Sequence, residues 1–365
     1  MTTTPRVLMA GGGSAGHTSP LIATAEALRR LRPEISITAL GTERGLETRV
    51  IPEAGLPLEL VPAVPLPRTL NADLFATPSR VWSALRATLE VIDRIRPDVV
   101  VGFGGYVSVP AYLGAKRRGL SIVVHEGNAR PGIANRLGAR LTPHVATSFP
   151  ATPLRHGHYI GLPVRSLISS LDRPALRAEA EAHFGLRADL PTLLVTGGSQ
   201  GARRLNQAMG ACAAAFEQAG VQVLHIVGPK GEVTRSSTSN SIPYQVQSYV
   251  DRMDLAYAAA DAVLCRSGSN TVTEVSGLGL PAVYVPLPIG NGEQALNARP
   301  VVDAGGGLII ADADLTPDWI TTHVLGLMTD PARLSEMSRS ASGVLALDAD
   351  EKLAEMILGA AGGRG

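Results

Sequence analysis

The sequence predicts an α/β protein made of two doubly wound domains, each a parallel sheet covered by helices on both faces. Short β-branched runs alternate with Ala/Leu/Arg-rich helical stretches along all 365 residues, the pattern of strand-helix-strand units. A unit of strand, glycine loop and helix occurs twice, at RVLMAGGGSAGHTSPLIATAEALRRL and at PTLLVTGGSQGARRLNQAMGACAAAF. Gly11 and Gly197 are 186 residues apart, about half the chain. At about 100 to 200 residues per domain, the length suits two cores.

Strands are expected at Arg6–Ala10, Ile35–Leu40, Val99–Phe103, Ile122–His125, Leu193–Thr196, Val221–Val227, Ala262–Cys265 and Ala282–Val285. Strand and helix signals lapse between Pro150 and Arg173, a stretch holding Pro153, Gly157, Gly161 and Pro163. The boundary is placed near Leu162, giving domains of residues 1–162 and 163–340. Residues 341–365 form a C-terminal segment whose helix, around Lys352–Ile357, packs back on the first domain and ends in a frayed AAGGRG tail. Ser236–Ser241 reads as a polar surface loop. Domains of this kind bind ligands at the carboxyl ends of their strands, in the crevice between them.

Composition excludes several functions. Lys plus Arg exceed Asp plus Glu by one, so no overall field holds the protein on DNA or an acidic surface. At 4% aromatic residues there is no stacking platform for single-stranded nucleic acid, and nucleic acid is set aside as a partner. Cys212 and Cys265 have no CxxC or nearby His pattern, which argues against a disulfide framework or structural zinc and fits a reducing cytoplasm. The apolar stretch in MTTTPRVLMAGGG is too short for a secretory signal. Val99–Ala115 and Ser276–Gly292 lack charge, but glycines and prolines interrupt both. Neither makes a membrane-spanning helix, so the chain is expected to be soluble or at most peripheral.

The glycine loops carry the chemistry. Gly11, Gly13 and Gly16 form GxGxxG after a strand, and Ser19-Pro20 reads as an N-cap and first helical residue. Backbone N–H groups and the positive helix end can there approach a diphosphate. A nicotinamide dehydrogenase would carry an acid at the end of its second strand. Here Leu40-Gly41-Thr42 ends that strand and Glu43 comes late. No Gly-Lys-Ser/Thr follows any loop, so the P-loop reading fails. His17 stands where the helix begins. It suits a base that takes a proton from an attacking hydroxyl, or a loop histidine bonded to its own backbone.

In the second half, Gly197-Gly198-Ser199-Gln200-Gly201 repeats the device, with Ser199 able to bind a phosphate. An ordinary tight turn is the alternative. Cys265-Arg266-Ser267-Gly268-Ser269-Asn270-Thr271 leads into a helix carrying Glu274, which could accept both hydroxyls of a ribose or be a solvated helix acid. Asp312-Ala313-Asp314 has the form of a metal-binding DxD but reads better as a turn before a helix started by Thr316-Pro317-Asp318.

Together these segments resemble one family, the lipid-linked N-acetylglucosaminyltransferases of peptidoglycan synthesis, which convert lipid I to lipid II. The resemblance runs through GGGSAGHTSP, GFGGYVSVPA, HEGNARPGIANR, GLPVR, GGSQGARRLN, CRSGSNTVTE and GLPAVYVPLPIGNGEQALNA, in that order along nearly the whole chain. It implies a GT-B glycosyltransferase: two Rossmann-like domains facing a cleft, lipid I and the membrane on the N-terminal side, UDP-N-acetylglucosamine mainly on the C-terminal side. In this pattern His17 matches the base. Ser14, Ala15, Gly16, Ser199, Ser269, Asn270 and Thr271 match positions at the nucleotide sugar and its phosphates. Arg165 and the Val250 backbone match positions that hold the nucleotide, Glu274 the ribose, and Asn128 and Gln294 the N-acetylglucosamine. Gly13, Gly104, Gly105 and Tyr106 match the loops that receive the acceptor diphosphate. Glu293 and HEGN depart from the family's usual Gln-Gln and HEQN, and Glu293 lacks the amide donors.

The implied reaction is an inverting displacement. It needs a base on the muramyl 4-hydroxyl and stabilisation of the departing diphosphate. Backbone amides near Ser199 and Gly268 would supply the second, with no metal and no cofactor. The implied partners are UDP-N-acetylglucosamine, lipid I, the cytoplasmic face of the cell membrane and other cell-wall synthesis proteins. Arg68-Thr69-Leu70, Leu74-Phe75 and Arg80-Val81-Trp82 through Arg86 mix apolar residues with arginines, as an interfacial surface does, although packed helices share that pattern. Three rivals remain: a GT-B enzyme with a small-molecule acceptor, a non-catalytic scaffold, and a nicotinamide dehydrogenase, which the missing acid after the second strand disfavours.

Overall fold

The structure, a computed structural model, describes residues 4–43, 45–63, 73–236, 239 and 241–363. The chain divides into two compact units, Met1–Arg165 with Leu347–Gly365, and Ser166–Ala346.

The first unit holds strands β1 (Arg6–Ala10), β2 (Ser36–Thr42), β3 (Leu58–Val61), β4 (Val99–Gly102), β5 (Ser121–Glu126), β6 (Val145–Thr147) and β7 (Gly157–Tyr159). They form one sheet in the order β3-β2-β1-β4-β5-β6-β7, parallel throughout. Helices α1 (Ala15–Leu31), α2 (Glu47–Glu53), α3 (Asp73–Ile95), α4 (Ser108–Arg117) and α5 (Ile133–Gly138) connect them. Alternate β1 side chains serve opposite cores: Val7 and Met9 pack with Leu21, Ala25 and Leu28 of α1, Leu8 and Ala10 with Ile92, Ala111 and Tyr112. Both faces are covered, so the central strands read as unbroken apolar runs.

The first core also contains Leu353, Ala354, Ile357 and Ala360 of the last helix, Ala349–Gly362, and Asp350 meets Arg30 of α1 at 2.6 Å. The unit boundaries fall at Arg165 and Ala346, not at residues 162 and 340. Ile160, Leu162 and Val164 are still buried, with Ile160 in the first core. The helix Pro331–Ala341 stays with the second unit, where Ser338 donates to the Gly279 carbonyl at 2.7 Å.

The second unit holds β8 (Thr192–Thr196), β9 (Gln222–Ile226), β10 (Tyr244–Gln247), β11 (Ala262–Cys265), β12 (Ala282–Tyr284) and β13 (Gly307–Ile309), in the order β10-β9-β8-β11-β12-β13. Its helices include α6 (Ser166–Ser169), α7 (Arg173–Phe184), α8 (Arg203–Ala211), α9 (Ala213–Gln218), α10 (Met253–Ala259), α11 (Ser269–Gly277) and α12 (Glu293–Asp303). The expectation of no strand between Pro150 and Arg173 is corrected by β7. Its three residues are all exposed, so no apolar run marks it, as is common at a sheet edge. In each sheet the strand order reverses beside the first strand, between β1 and β4 and between β8 and β11. Ligand sites of doubly wound sheets form at such points, beyond the carboxyl ends of the strands.

The turn after β8 is tightly built. Gly201 has φ +73, and a Cβ there would run into the Val227 carbonyl at the end of β9. Gly201→Ala is expected to cost about 2 to 4 kcal/mol through backbone strain and overpacking. Thermal unfolding checks it, and an unchanged midpoint would refute this account of the turn.

Candidate active site

In the first unit, three loops at the carboxyl ends of β1, β4 and β5 meet around His17. The β1 loop runs from Gly11 to Ser14, and α1 starts at Ala15 with Ser14 as its cap. The Ser14 carbonyl already accepts the N–H groups of His17 and Thr18, at 3.1 and 3.2 Å. The expected start at Ser19-Pro20 is therefore corrected: both lie inside α1, because the glycine loop itself turns into the helix. Ser108 ties the β4 loop to β1. Its hydroxyl accepts from the Gly104 N–H at 3.1 Å and lies 2.8 Å from the Gly104 carbonyl and 3.2 Å from that of Ala10.

His17, half-buried, fills the space between the two loops. Its Nδ1 is 3.0 Å from the Gly12 carbonyl and 3.4 Å from the Ser14 hydroxyl. Gly104 has φ +100, and a Cβ there would stand 2.9 Å from His17 Nε2. Only glycine lets the β4 loop pass this close to the imidazole. Tyr106, 41% exposed, borders the same loop.

The β5 loop contributes a buried carboxylate. Glu126 accepts from the Asn128 and Gly132 N–H groups at 2.9 Å and from Asn135 Nδ2 at 3.0 Å. Asn135 donates as well to the His125 carbonyl and accepts from the Tyr112 hydroxyl at 2.8 Å. Burial pushes the Glu126 carboxyl above the usual range, against the pull of these donors. The loop bearing Asn128 is thus shaped by Glu126. Burial also drives the neighbouring His125 down to about 3, so His125 is neutral at pH 7, with Nε2 3.0 Å from the Ser148 hydroxyl. Of these two histidines, His17 is the part-exposed one.

A second carboxylate was not legible as a site residue. Glu47, fully buried at the start of α2, accepts from the Gly13 N–H at 2.7 Å, the Thr42 N–H at 3.1 Å and the Thr42 hydroxyl at 2.9 Å. Arg165, at the end of this unit, faces Glu26 of α1 at 3.6 Å.

In the second unit the expected donor residues gather at the carboxyl ends of the strands. Ser199 is exposed in the β8 loop. Gly268 caps α11 with extended backbone, and a Cβ there would meet no atom within 4 Å. Ser269, Asn270 and Thr271 form the first turn of α11. Glu274, one turn on, accepts from the buried Tyr257 hydroxyl at 2.8 Å. Val250 follows β10. Gln294, in the first turn of α12, accepts from the Leu287 N–H at 3.0 Å, and Glu293 from the Asn291 N–H at 3.1 Å. Arg266 binds three segments together. Its guanidinium donates to the Val285 and Pro286 carbonyls at 3.1 and 3.2 Å and meets Asp312 at 2.6 Å. Asp312 also pairs with Arg204 at 3.2 Å. Residues 312–314 form a 3-10 turn, and Thr316 caps the helix that follows by accepting from Trp319 N–H, the turn-before-helix arrangement expected for DAD.

Models of two domains match the chain: the glycosyltransferase family 28 N-terminal domain over residues 7–147 and the glycosyltransferase family 28 C-terminal domain over residues 192–355. The chain belongs to glycosyltransferase family 28. It is 61% identical over 355 residues to a UDP-N-acetylglucosamine–N-acetylmuramyl-(pentapeptide) pyrophosphoryl-undecaprenol N-acetylglucosamine transferase of Nocardioides sp., with 97% of each chain covered. It is 57% identical to the protein of that name from Streptomyces coelicolor, over 96% of this chain and 97% of the relative. A crystal structure of MurG from Acinetobacter baumannii superposes with a TM-score of 0.78 at 27% identity, covering 97% of this chain and 99% of that one. The two parallel α/β sheets are those of GT-B glycosyltransferases.

Among the described residues no helix is long and apolar enough to cross a membrane. On α3, Trp82 is 62% exposed and Arg86 meets Glu90 at 3.3 Å. Arg68-Thr69-Leu70, expected at an interfacial surface, lie outside the described residues.

Proposed function

We propose that the protein transfers N-acetylglucosamine from UDP-N-acetylglucosamine to the 4-hydroxyl of the N-acetylmuramyl unit of lipid I, with inversion, giving lipid II and UDP. The observation that carries this reading is the placement of His17 at the switch point of the first sheet, between two glycine loops. Its support is a family 28 chain sharing 61% of its residues with a relative named for that transfer.

His17 takes the proton of the attacking hydroxyl. The β4 loop of Gly104, Gly105 and Tyr106 and the start of α1 at Ser14, Ala15 and Gly16 receive phosphate oxygens. The Gly13 amide is already given to Glu47, so Gly13 serves by its shape rather than its N–H. In the second unit Ser199 and the Ser269–Thr271 turn meet the donor diphosphate and stabilise the charge that develops on UDP. Glu274 accepts the ribose hydroxyls, Arg165 and the Val250 backbone hold the nucleotide, and Asn128 and Gln294 hold the sugar. No metal is needed in this scheme, and Asp312 is spent on Arg204 and Arg266. The lipid acceptor places the enzyme peripherally at the cytoplasmic membrane face, with Trp82, Arg80 and Arg86 of α3 at the interface.

The test is UDP release from UDP-N-acetylglucosamine with a short-chain lipid I analogue, with and without EDTA, and with the product mass read. Acceptor-dependent release with a gain of one N-acetylhexosamine, unaffected by EDTA, is expected. Loss of activity in EDTA would overturn the metal-free scheme. No acceptor-dependent release from folded protein would point to another acceptor or to a scaffold.

A further inference from the structure

We propose that Glu47 is a positioning residue that sets the tautomer of His17 through a single peptide unit. The inference rests on the reading of His17 as the base and adds to it the device that keeps its Nε2 unprotonated. The amide linking Gly12 to Gly13 has two ends. Its N–H, on Gly13, donates to Glu47 Oε2 at 2.7 Å. Its carbonyl, on Gly12, stands 3.0 Å from His17 Nδ1. One rigid, planar group therefore lies between a buried carboxylate and the imidazole.

The direction of the bonds follows from chemistry. A carbonyl oxygen accepts and never donates, so the contact with Gly12 requires the proton on Nδ1. In the neutral ring Nε2 then keeps its lone pair, as a base needs. The Ser14 hydroxyl, which could donate to Nδ1 and reverse the tautomer, is farther off at 3.4 Å. An acceptor at the N–H end polarises the amide and strengthens its carbonyl as an acceptor. Glu47 thus does through a peptide what the buried aspartate of a Ser-His-Asp triad does directly.

The surroundings leave the carboxylate little freedom. Oε1 is held by the N–H and hydroxyl of Thr42, and a Cβ on Gly12, Gly41 or Gly45 would collide with the Glu47 side chain. On the far side of the peptide, a Cβ on Gly105 would stand 2.7 Å from the Gly12 carbonyl. The glycines of the first loop therefore do more than admit a diphosphate. They let a carboxylate and an imidazole reach opposite ends of one amide.

Two measurements test this. Nitrogen-15 NMR of the folded wild-type protein should show His17 protonated on Nδ1 with a bare Nε2, and a mixed population in Glu47→Gln. In kinetics, Glu47→Gln should lower kcat about tenfold, the equivalent of one hydrogen bond, with KM for UDP-N-acetylglucosamine unchanged. In a His17→Ala background the same substitution should change nothing further. A wild-type His17 protonated on Nε2 overturns the proposal, and needs no variant that folds. So does a Glu47→Gln loss of equal size with and without His17, which would mark a role in the fold alone. If His17→Ala keeps full turnover while the Nδ1 tautomer stands, it is the base reading that fails and not the relay.

Discussion

His17→Ala is expected to lower kcat by about 10²- to 10⁴-fold, the usual contribution of a positioned general base. KM for the donor should change little, because the substitution leaves Ser199, Glu274 and Gln294 of the other unit, and Asn128 and Arg165 of this one, in place. The loss should be specific to this ring. His125 is neutral and buried, held low by its surroundings, and its side chain is occupied by Ser148, so it offers no replacement. The space left by the imidazole lies against Gly104, and water there would carry the residual reaction. Steady-state kinetics with both substrates saturating decides the matter. Near-normal turnover would remove His17 from the role of base.

Glu274→Ala should act on the donor instead. A carboxylate that accepts from a ribose hydroxyl makes a charge-assisted bond worth about 1.5 to 3 kcal/mol, so KM for UDP-N-acetylglucosamine should rise about 10- to 100-fold with a smaller change in kcat. The substitution also strands the Tyr257 hydroxyl, which is buried and donates to Glu274 at 2.8 Å. Burial and the nearby Glu274 hold the Tyr257 phenol well above its ordinary range, so it stays a donor at any working pH and orients the carboxylate. A donor built on 2′-deoxyuridine separates the parts. Wild type should bind it more weakly than the natural donor, while Glu274→Ala should not tell the two apart. Retained discrimination in the variant would take Glu274 off the ribose.

These two residues were singled out from the sequence because each sits in a local string: His17 ends a glycine loop, and Glu274 lies one turn beyond Gly268. Glu47 was not. It stands in a short helix with no motif, and its partner Gly13 is 34 residues away. A dehydrogenase would close its second strand with an acid, and the acid next to that strand here, Glu43, is exposed. The acid that Thr42 does hold comes five residues later and faces inward, onto the first glycine loop. Tyr257, Asn135 and Arg266 escaped for the same reason. Each looks like an ordinary member of a helix or loop until the segments it joins are brought together.

Patterns with short periods were therefore settled by the chain alone: the alternation that makes two parallel sheets, the strands of the two sheet centres, and the glycine loops that follow them. They depend on neighbours within a turn of helix or a few residues of strand. Tertiary structure decided the rest. It placed the short strands β3, β7, β10 and β13 at the sheet edges and chose which carboxylates are buried. A buried charge survives only where donors converge on it. For Glu47 those donors come from two segments of the chain, at Gly13 and at Thr42. Their positions follow from the folded sheet, not from any spacing in the sequence.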